Sequence, residues 1–168
     1  MQEGGGAQVT EARALSPKPL LFAIALAVIS ADQASKAWAL ESLDGGRRIS
    51  LIGEIFDLRL VLNPGSAFGF FKGWTLAIFL ASTAITVAVI VWAIRDPRPS
   101  PWLGLIIGGG IGNLIDRLFR PPGAGRGEVI DFIYLSFWPT FNLADAAIVI
   151  GVGAMLILAA RENPTASA

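Results

Sequence analysis

The feature that most constrains the fold is an uncharged apolar run from Trp74 to Ile94. At about 1.5 Å per residue, a helix of this run spans about 31 Å, close to the hydrocarbon thickness of a bilayer. A run of this length without a charge predicts a transmembrane helix. The chain is also 54% hydrophobic and 15% charged, whereas a soluble domain carries about 25% charged residues. We therefore interpret the chain as an integral membrane protein.

Three further apolar segments, at about 19–38, 102–118 and 141–160, predict a total of four transmembrane helices. Asp32 and Lys36 lie in the first segment, which shows no clear small-residue cleavage site. These features favour a retained helix over a cleaved signal peptide. The predicted fold is thus a mainly α membrane protein with one domain over residues 18–162.

The connections between the segments differ in character. Residues 41–71 contain an alternation of apolar and polar residues, several β-branched residues, and an Asn63-Pro64-Gly65 turn. This pattern predicts a small antiparallel β-sheet after the first helix. The end of this insert, with Phe68, Phe70 and Phe71, is expected to return to the bilayer through an interfacial turn or helix. Residues 119–140 are predicted to form a loop. Residues 1–17 and 163–168 are predicted to be disordered or polar tails.

The polar residues of the four segments share one side of the membrane. In a four-helix topology, the C-terminal ends of the first and third helices and the N-terminal end of the fourth face the same leaflet. The residues that converge there are Asp32, Lys36, Asn113, Asp116, Arg117, Asp131, Asn142 and Asp145. Because carboxylates are costly beside hydrocarbon, their presence predicts a functional site at that leaflet.

Composition limits the chemistry of this site. The chain has no histidine and no cysteine, which excludes disulfides, thiol nucleophiles, Ser–His or Cys–His pairs, and imidazole or thiolate metal ligands. Acid–base chemistry therefore falls to Asp, Glu, Lys or Tyr. The net charge is zero and the basic residues do not cluster, which argues against a nucleic-acid partner.

The acidic residues differ in their local partners. Asp32 and Lys36 are four residues apart and are predicted to form an ion pair on one helix face, and Asp116 is expected to be neutralised by the adjacent Arg117. Asp131 and Asp145 have no such local cation. Two unpaired carboxylates in apolar surroundings indicate a coupled pair, in which one activates water and the other donates a proton. Peptide hydrolysis at the membrane surface is the resulting hypothesis.

Other interpretations remain open from the residues alone. A glycosidase also uses two carboxyl groups, but no sugar-binding groove is evident. A transporter or proton-coupled channel would need polar groups through the full depth of the bundle, and a membrane scaffold would not need unpaired acids. Spacing does not rank Asp131 above Asp116, and the loop charges do not fix the orientation. The glycines from Gly108 to Gly112 predict close helix packing.

Between residues 19 and 160, the chain resembles the bacterial lipoprotein signal peptidases, or signal peptidase II. Five motifs in order carry the resemblance, which makes it specific. They are DQxSK at Asp32–Lys36, Asn63-x-Gly65-x-Ala67-Phe68, GGxxGNLIDR at Gly108–Arg117, VIDF at Val129–Phe132, and FNLAD at Phe141–Asp145.

The resemblance implies a four-helix aspartic endopeptidase of the bacterial cytoplasmic (inner) membrane. Both termini would be cytoplasmic, and the active site would lie near the extracytoplasmic leaflet. Such an enzyme removes the signal peptide from prolipoproteins that carry diacylglyceryl, cutting just before the lipidated cysteine. No metal or cofactor is implied. The expected partners are these lipid-modified substrates and membrane lipids, and we expect a monomer.

The resemblance also assigns residues. It implies that Asp131 and Asp145 are the catalytic pair and that Asp116 is structural support. The residues implied to position the pair or to contact the substrate are Asp32, Lys36, Asn63, Asn113, Arg117 and Asn142. Two features depart from the expected pattern, namely the short connection from Asp131 to Asp145 and the proline-rich RPPGAGRG before it. Both concern the shape of the loop over the site.

Overall fold

The computed structural model describes residues 17–65 and 74–162. Within these residues, four helices are long and apolar enough to cross a membrane, and they are joined by a small antiparallel sheet, which confirms the predicted fold class. The helices are α1 (Pro17–Ser42), α2 (Thr75–Arg95), α3 (Trp102–Phe119) and α4 (Leu143–Glu162). The strands are β1 (Arg48–Ile52), β2 (Phe56–Asn63), β3 (Val129–Leu135) and β4 (Trp138–Phe141).

Helix α3 lies at the centre of the bundle, in contact with the other three helices. Its glycines allow this, and three consecutive ones face three different helices. A Cβ at Gly108 would lie 2.7 Å from the Ala25 carbonyl oxygen of α1, and one at Gly110 would lie 2.6 Å from Thr86 Oγ1 of α2. A Cβ at Gly109 would overlap the Ala144 carbonyl oxygen of α4. The predicted packing role of these glycines is confirmed.

Two apolar clusters hold the fold together. One lies among the helices and contains Leu21, Ala25, Ala93, Leu103 and Ile107. The other joins the end of α1 to the sheet and contains Ala39, Leu43, Ile130 and Phe132. The second cluster therefore fixes β3 against α1, and with it the residues that β3 carries.

The sheet has the strand order β1-β2-β3-β4, and each neighbouring pair is antiparallel. The prediction that residues 119–140 form a loop is wrong, because β3 and most of β4 lie in this range. Strand β3 pairs with β2 of the insert, and the register is irregular between the Leu58–Ile133 and Val61–Asp131 pairs. Strands β3 and β4 are short, and β3 pairs with a strand far away in the sequence. The local sequence of each strand therefore gives only a weak pattern from which to predict it.

The segment before β3, at 120–127, turns back onto the end of α3. The Gly127 N–H donates to the Arg117 carbonyl oxygen at 3.0 Å, and Gly123 and Gly125 adopt positive φ angles. The predicted tail at 1–17 ends one residue too late, because α1 begins at Pro17. The other predicted features that lie outside the described residues are the rest of that tail, the tail at 163–168, the interfacial turn with Phe68, Phe70 and Phe71, and Ala67 of the second motif.

Candidate active site

Asp131 is held on β3 by two asparagine side chains. Asn63 of β2 donates its Nδ2 to Asp131 Oδ2 at 2.8 Å, and Asn142 donates its Nδ2 to Asp131 Oδ1 at 2.7 Å. The carboxyl group is only 2% exposed. Burial, and then the negative charge of Asp145, raise the pKa of Asp131 to about 7 although the asparagine hydrogen bonds lower it. Near neutral pH, the Asp131 side chain is therefore present in both its protonated and its ionised form.

Asp145 lies in the first turn of α4, where Asn142 caps the helix. Asn142 Oδ1 accepts the Asp145 N–H at 3.0 Å, and Asp145 Oδ2 accepts the Asn142 N–H at 3.3 Å. This reciprocal pair has the pattern of a capping box. Asn113 of α3 adds a hydrogen bond from Nδ2 to Asp145 Oδ1 at 2.7 Å. These N–H groups and the helix N-terminus favour a negative charge on Asp145.

Lys36 of α1 binds an acid on each of two helices, α1 and α3, and an amide of α3. Its Nζ lies 2.8 Å from Asp32 Oδ2 and 2.8 Å from Asp116 Oδ2, and it donates to Asn113 Oδ1 at 3.0 Å. The three N–H groups of the ammonium thus each have an acceptor, as a buried lysine requires. The predicted ion pair of Asp32 with Lys36 is confirmed. Because Asn113 also binds Asp145, Lys36 fixes the residue that orients this carboxylate.

Asp32 also binds the start of α4. Its Oδ1 accepts the Ala144 N–H at 3.0 Å, and both atoms are buried. The first turn of α4 is therefore held by a side chain of α1 in addition to its own cap.

Asp116 pairs differently from the prediction. Its Oδ2 binds Lys36, and its Oδ1 accepts a 2.7 Å hydrogen bond from Arg120 Nε rather than from the adjacent Arg117. Consecutive helix residues do not face each other, whereas residues four apart do. Arg117 instead donates its Nη1 to the Gly127 carbonyl oxygen at 3.0 Å. The expected Asp116–Arg117 pair is thus replaced by pairs with Lys36 and Arg120.

Two residues of this network were missed by the sequence analysis. Gln33 Nε2 lies between Asp32 Oδ2, Asp116 Oδ1 and the Gly112 carbonyl oxygen, at 3.2, 3.3 and 3.1 Å. Arg120 is the other, through its bond to Asp116. Gln33 stands inside the first motif and Arg120 is four residues after Asp116, so spacing and motif membership were signals that could have found them.

A small cavity of about 140 Å³ opens beside this network. It is lined by Ile78 and Ser82 of α2 and by a polar group that consists of Asn63, Asn113, Arg117 and Asp145. Arg117 also interacts electrostatically with Asp131 and Asp145. The structure thus brings together all nine predicted site residues at one end of the bundle. A carboxyl group that is protonatable near neutral pH and a second carboxyl group beside a polar cavity can activate water and donate a proton.

The fold and this site define a multi-pass membrane protein with a buried carboxyl network at one end of its helix bundle. Comparison with known proteins makes the class specific. The chain belongs to the signal peptidase II family, because the family model described as "Signal peptidase (SPase) II" matches residues 24–161. The chain is therefore a membrane peptidase.

Curated relatives agree with this family. The chain is 43% identical over 145 residues to a lipoprotein signal peptidase of Rhodococcus jostii (strain RHA1), covering 83% of this chain and 71% of the relative. It is 39% identical over 163 residues to one of Mycobacterium tuberculosis (strain ATCC 25618 / H37Rv), covering 94% of this chain and 79% of the relative. A solved bacterial membrane enzyme, determined at 2.3 Å resolution, is similar with a TM-score of 0.73 and 26% identity, over 89% of this chain and 92% of that chain.

Proposed function

We propose that the protein is an aspartic endopeptidase that removes the signal peptide from diacylglyceryl-modified prolipoproteins, cutting just before the lipidated cysteine. The shared description of the relatives as lipoprotein signal peptidases supports the substrate class. The observation that carries the catalytic assignment is the side chain of Asn142. It donates to Asp131 and accepts from the Asp145 N–H, so one amide links both carboxyl-bearing residues.

In the proposed mechanism, Asp145 is the base and Asp131 is the acid. Asp145 takes a proton from water while the water oxygen bonds to the scissile carbonyl carbon, and Asp131 gives its proton to the carbonyl oxygen. The C–N bond of the resulting diol then breaks. The proton held by Asp145 passes to the leaving nitrogen, and a diol proton returns to Asp131. The products are a carboxyl group on the signal peptide and a free amine on the cysteine.

The other polar residues are assigned according to their contacts. Asn63, Asn113 and Arg117 line the cavity, and we assign them to holding peptide carbonyl groups and the carboxyl pair. Lys36 and Asp32 position Asn113 and the start of α4. Asp116 is a structural support, because it binds Lys36 and the Ile130 N–H beside Asp131.

We further propose the membrane context. The protein would lie in the bacterial cytoplasmic membrane as a monomer with both termini in the cytoplasm, and its site would face the extracytoplasmic leaflet. The diacylglyceryl group would remain in that leaflet and bring the scissile bond to the depth of the carboxyl pair. The gathering of buried charges at one end of the bundle supports this arrangement.

The proposal predicts separate losses of activity for Asp131→Asn and Asp145→Asn. Each variant removes a proton-transfer group, so each is expected to lower the cleavage rate by about 10²–10⁴-fold. The measurement is cleavage of a diacylglyceryl-modified prolipoprotein by purified protein in lipid, with the cut site identified by mass spectrometry.

Asp57→Asn is the matched control. Asp57 is also a buried aspartate of the sheet, but it pairs with Arg48 and lies outside the carboxyl network. This variant is expected to cleave at the wild-type rate. If Asp131→Asn or Asp145→Asn folds and keeps full activity, the assignment of the catalytic pair is wrong.

A further inference from the structure

We propose that a groove between the β3–β4 hairpin and α4 binds an acyl chain of the substrate's diacylglyceryl group. This inference rests on the proposed function and adds a subsite to it. The groove, called here the hairpin groove, has a volume of about 280 Å³. Its apolar lining includes Phe137, Trp138 and Phe141 on the hairpin side and Ala146, Val149 and Ile150 on α4.

The first argument is position. Asp145 lines the hairpin groove and also lines the polar cavity beside the carboxyl network. One catalytic side chain thus borders both spaces. In the proposed substrate, the lipidated cysteine directly follows the scissile bond, so its acyl chains begin one cysteine side chain and one glyceryl group away from the reacting carbonyl. A peptide bond at Asp145 therefore brings the start of an acyl chain within reach of the groove, which Asp145 also borders.

The second argument is chemistry. Among the described residues that line the groove, Asp145 carries a charge and the others are apolar or aromatic. Val149 and Ile150 are 66% and 57% exposed on the outer face of α4, where a membrane-spanning helix meets lipid. Phe137 and Trp138 are 74% and 59% exposed at the hairpin tip, as aromatic residues at the membrane–water interface often are. An acyl chain can therefore enter the groove near its glyceryl end and continue into the bilayer.

The third argument concerns size and energy. The groove is slightly smaller than the roughly 300–1,000 Å³ of small-molecule sites, so it suits a part of one chain and not a whole lipid. Moving an acyl chain from lipid into an apolar groove gains little free energy, because both surroundings are apolar. The expected benefit is orientation of the scissile bond, which affects the rate of the bound substrate.

The test compares Ile150→Trp with Ile157→Trp. The two isoleucines lie on the same face of α4, and are 57% and 56% exposed, but only Ile150 lines the groove. Two synthetic prolipoprotein peptides are used in the same lipid vesicles, one with dipalmitoylglyceryl and one with dibutyrylglyceryl on the cysteine. Thermal unfolding confirms that both variants are folded, and kcat and KM are measured for each substrate.

We expect wild-type protein to cleave the dipalmitoyl substrate faster. Ile150→Trp fills the groove and is expected to lower kcat on this substrate by about tenfold or more, with little effect on the dibutyryl substrate. Ile157→Trp is expected to retain the wild-type preference for the long chains.

Three results would overturn the proposal. They are an unchanged chain-length preference in Ile150→Trp, equal losses in the two variants, and an equal loss on both substrates, which would assign the groove to the peptide part. Failure of wild-type protein to cleave either substrate would instead overturn the proposed function itself.

Discussion

At the scale of single residues, the surroundings of Asp131 decide its chemistry. The carboxyl group is almost completely buried and accepts hydrogen bonds from two neutral amides rather than from a cation. Burial favours its neutral form, and the nearby negative charge of Asp145 acts in the same direction. This combination keeps a proton available near neutral pH on a side chain that would otherwise be fully ionised.

The raised pKa of Asp131 predicts how stability and activity depend on pH. With a folded-state pKa of about 7 against an ordinary value of 3.8, the folded protein binds more protons than the unfolded chain between these values. Stability is therefore expected to fall as pH rises from about 4 to about 7. Thermal unfolding from pH 5 to 8 should show this slope in wild-type protein and a smaller slope in Asp131→Asn.

The wild-type kcat/KM should also decline above about pH 7, because Asp131 then loses the proton that it donates. A flat profile up to pH 9 would contradict the proposed role of Asp131 as acid.

The sequence predicted which polar residues gather at this end of the bundle better than it predicted their partners. The lack of a local cation singled out Asp131 and Asp145, and the motifs ranked them above Asp116. The contact from Asn63 to Asp131 joins residues 68 positions apart, and it depends on the pairing of β2 with β3. No local periodicity contains that information. The pairing of Asp116 with Arg120 was predictable from helix geometry, but adjacency in the sequence suggested Arg117 instead.

At the scale of elements, the central helix α3 sets the position of the site. Its glycines bring α1 and α4 close enough for Lys36, Asn113 and Asp145 to share one network. Gly109 matters most for α4, because it faces the backbone next to Asp145. Small changes at this contact should therefore move the Asp145 side chain.

Gly109→Ala should reduce both stability and activity. The added methyl group would overlap the Ala144 carbonyl oxygen and lie 2.8 Å from Ile148 Cγ1, so α4 must shift, at a cost of about 1–3 kcal/mol. Gly153→Ala is the control, because a Cβ there meets no described atom within 4 Å. It should stabilise α4 by about 0.5–1 kcal/mol and leave activity unchanged. Thermal unfolding and cleavage assays test both, and equal behaviour of the two variants would contradict this role for Gly109.

The elements differ in how far the sequence determined them. The four helices were predictable because each is a long apolar run, and α2 lacks any charge over most of its length. The strands β3 and β4 were not, because Asp131 interrupts the apolar pattern of β3 and because β2 lies far away in the chain. The proline-rich segment before them suggested a loop, and only the turn at 120–127 fits that description.

At the scale of the whole molecule, polarity is divided between the two ends of the bundle. The charged residues buried in the helices are at the end that meets the sheet, where Asp32, Lys36, Asp116 and Arg117 lie. Elsewhere in the described bundle, α1, α2 and α3 pack through apolar side chains such as Leu21, Ala93 and Leu103, and the buried polar residue Thr86 of α2 is uncharged. A transporter or channel would need polar groups through the full depth, so this division favours a site that is open to one leaflet.

The proposed orientation predicts which loops face the outside of the cell. The chain has no cysteine, so Asp44→Cys, after α1, and Arg98→Cys, between α2 and α3, each introduce a single thiol at an exposed position. In intact cells, a membrane-impermeant maleimide should label Asp44→Cys and should label Arg98→Cys only after permeabilisation. The opposite pattern would reverse the orientation and place the site at the cytoplasmic leaflet.

The cap of α4 has a consequence for which residues can occupy position 142. Ser, Thr, Asp, Asn and Gly are the usual residues at a helix N-cap, and at most positions they are partly interchangeable. Here the same planar amide must present an oxygen to the Asp145 N–H and a nitrogen to Asp131 Oδ1. Among the capping side chains, only asparagine offers an acceptor and an N–H donor in one rigid group. Aspartate would add a third negative charge, and serine, threonine or glycine would be too short to bridge the two. Any other residue at position 142 should therefore lose either the cap at the start of α4 or the hydrogen bond to Asp131.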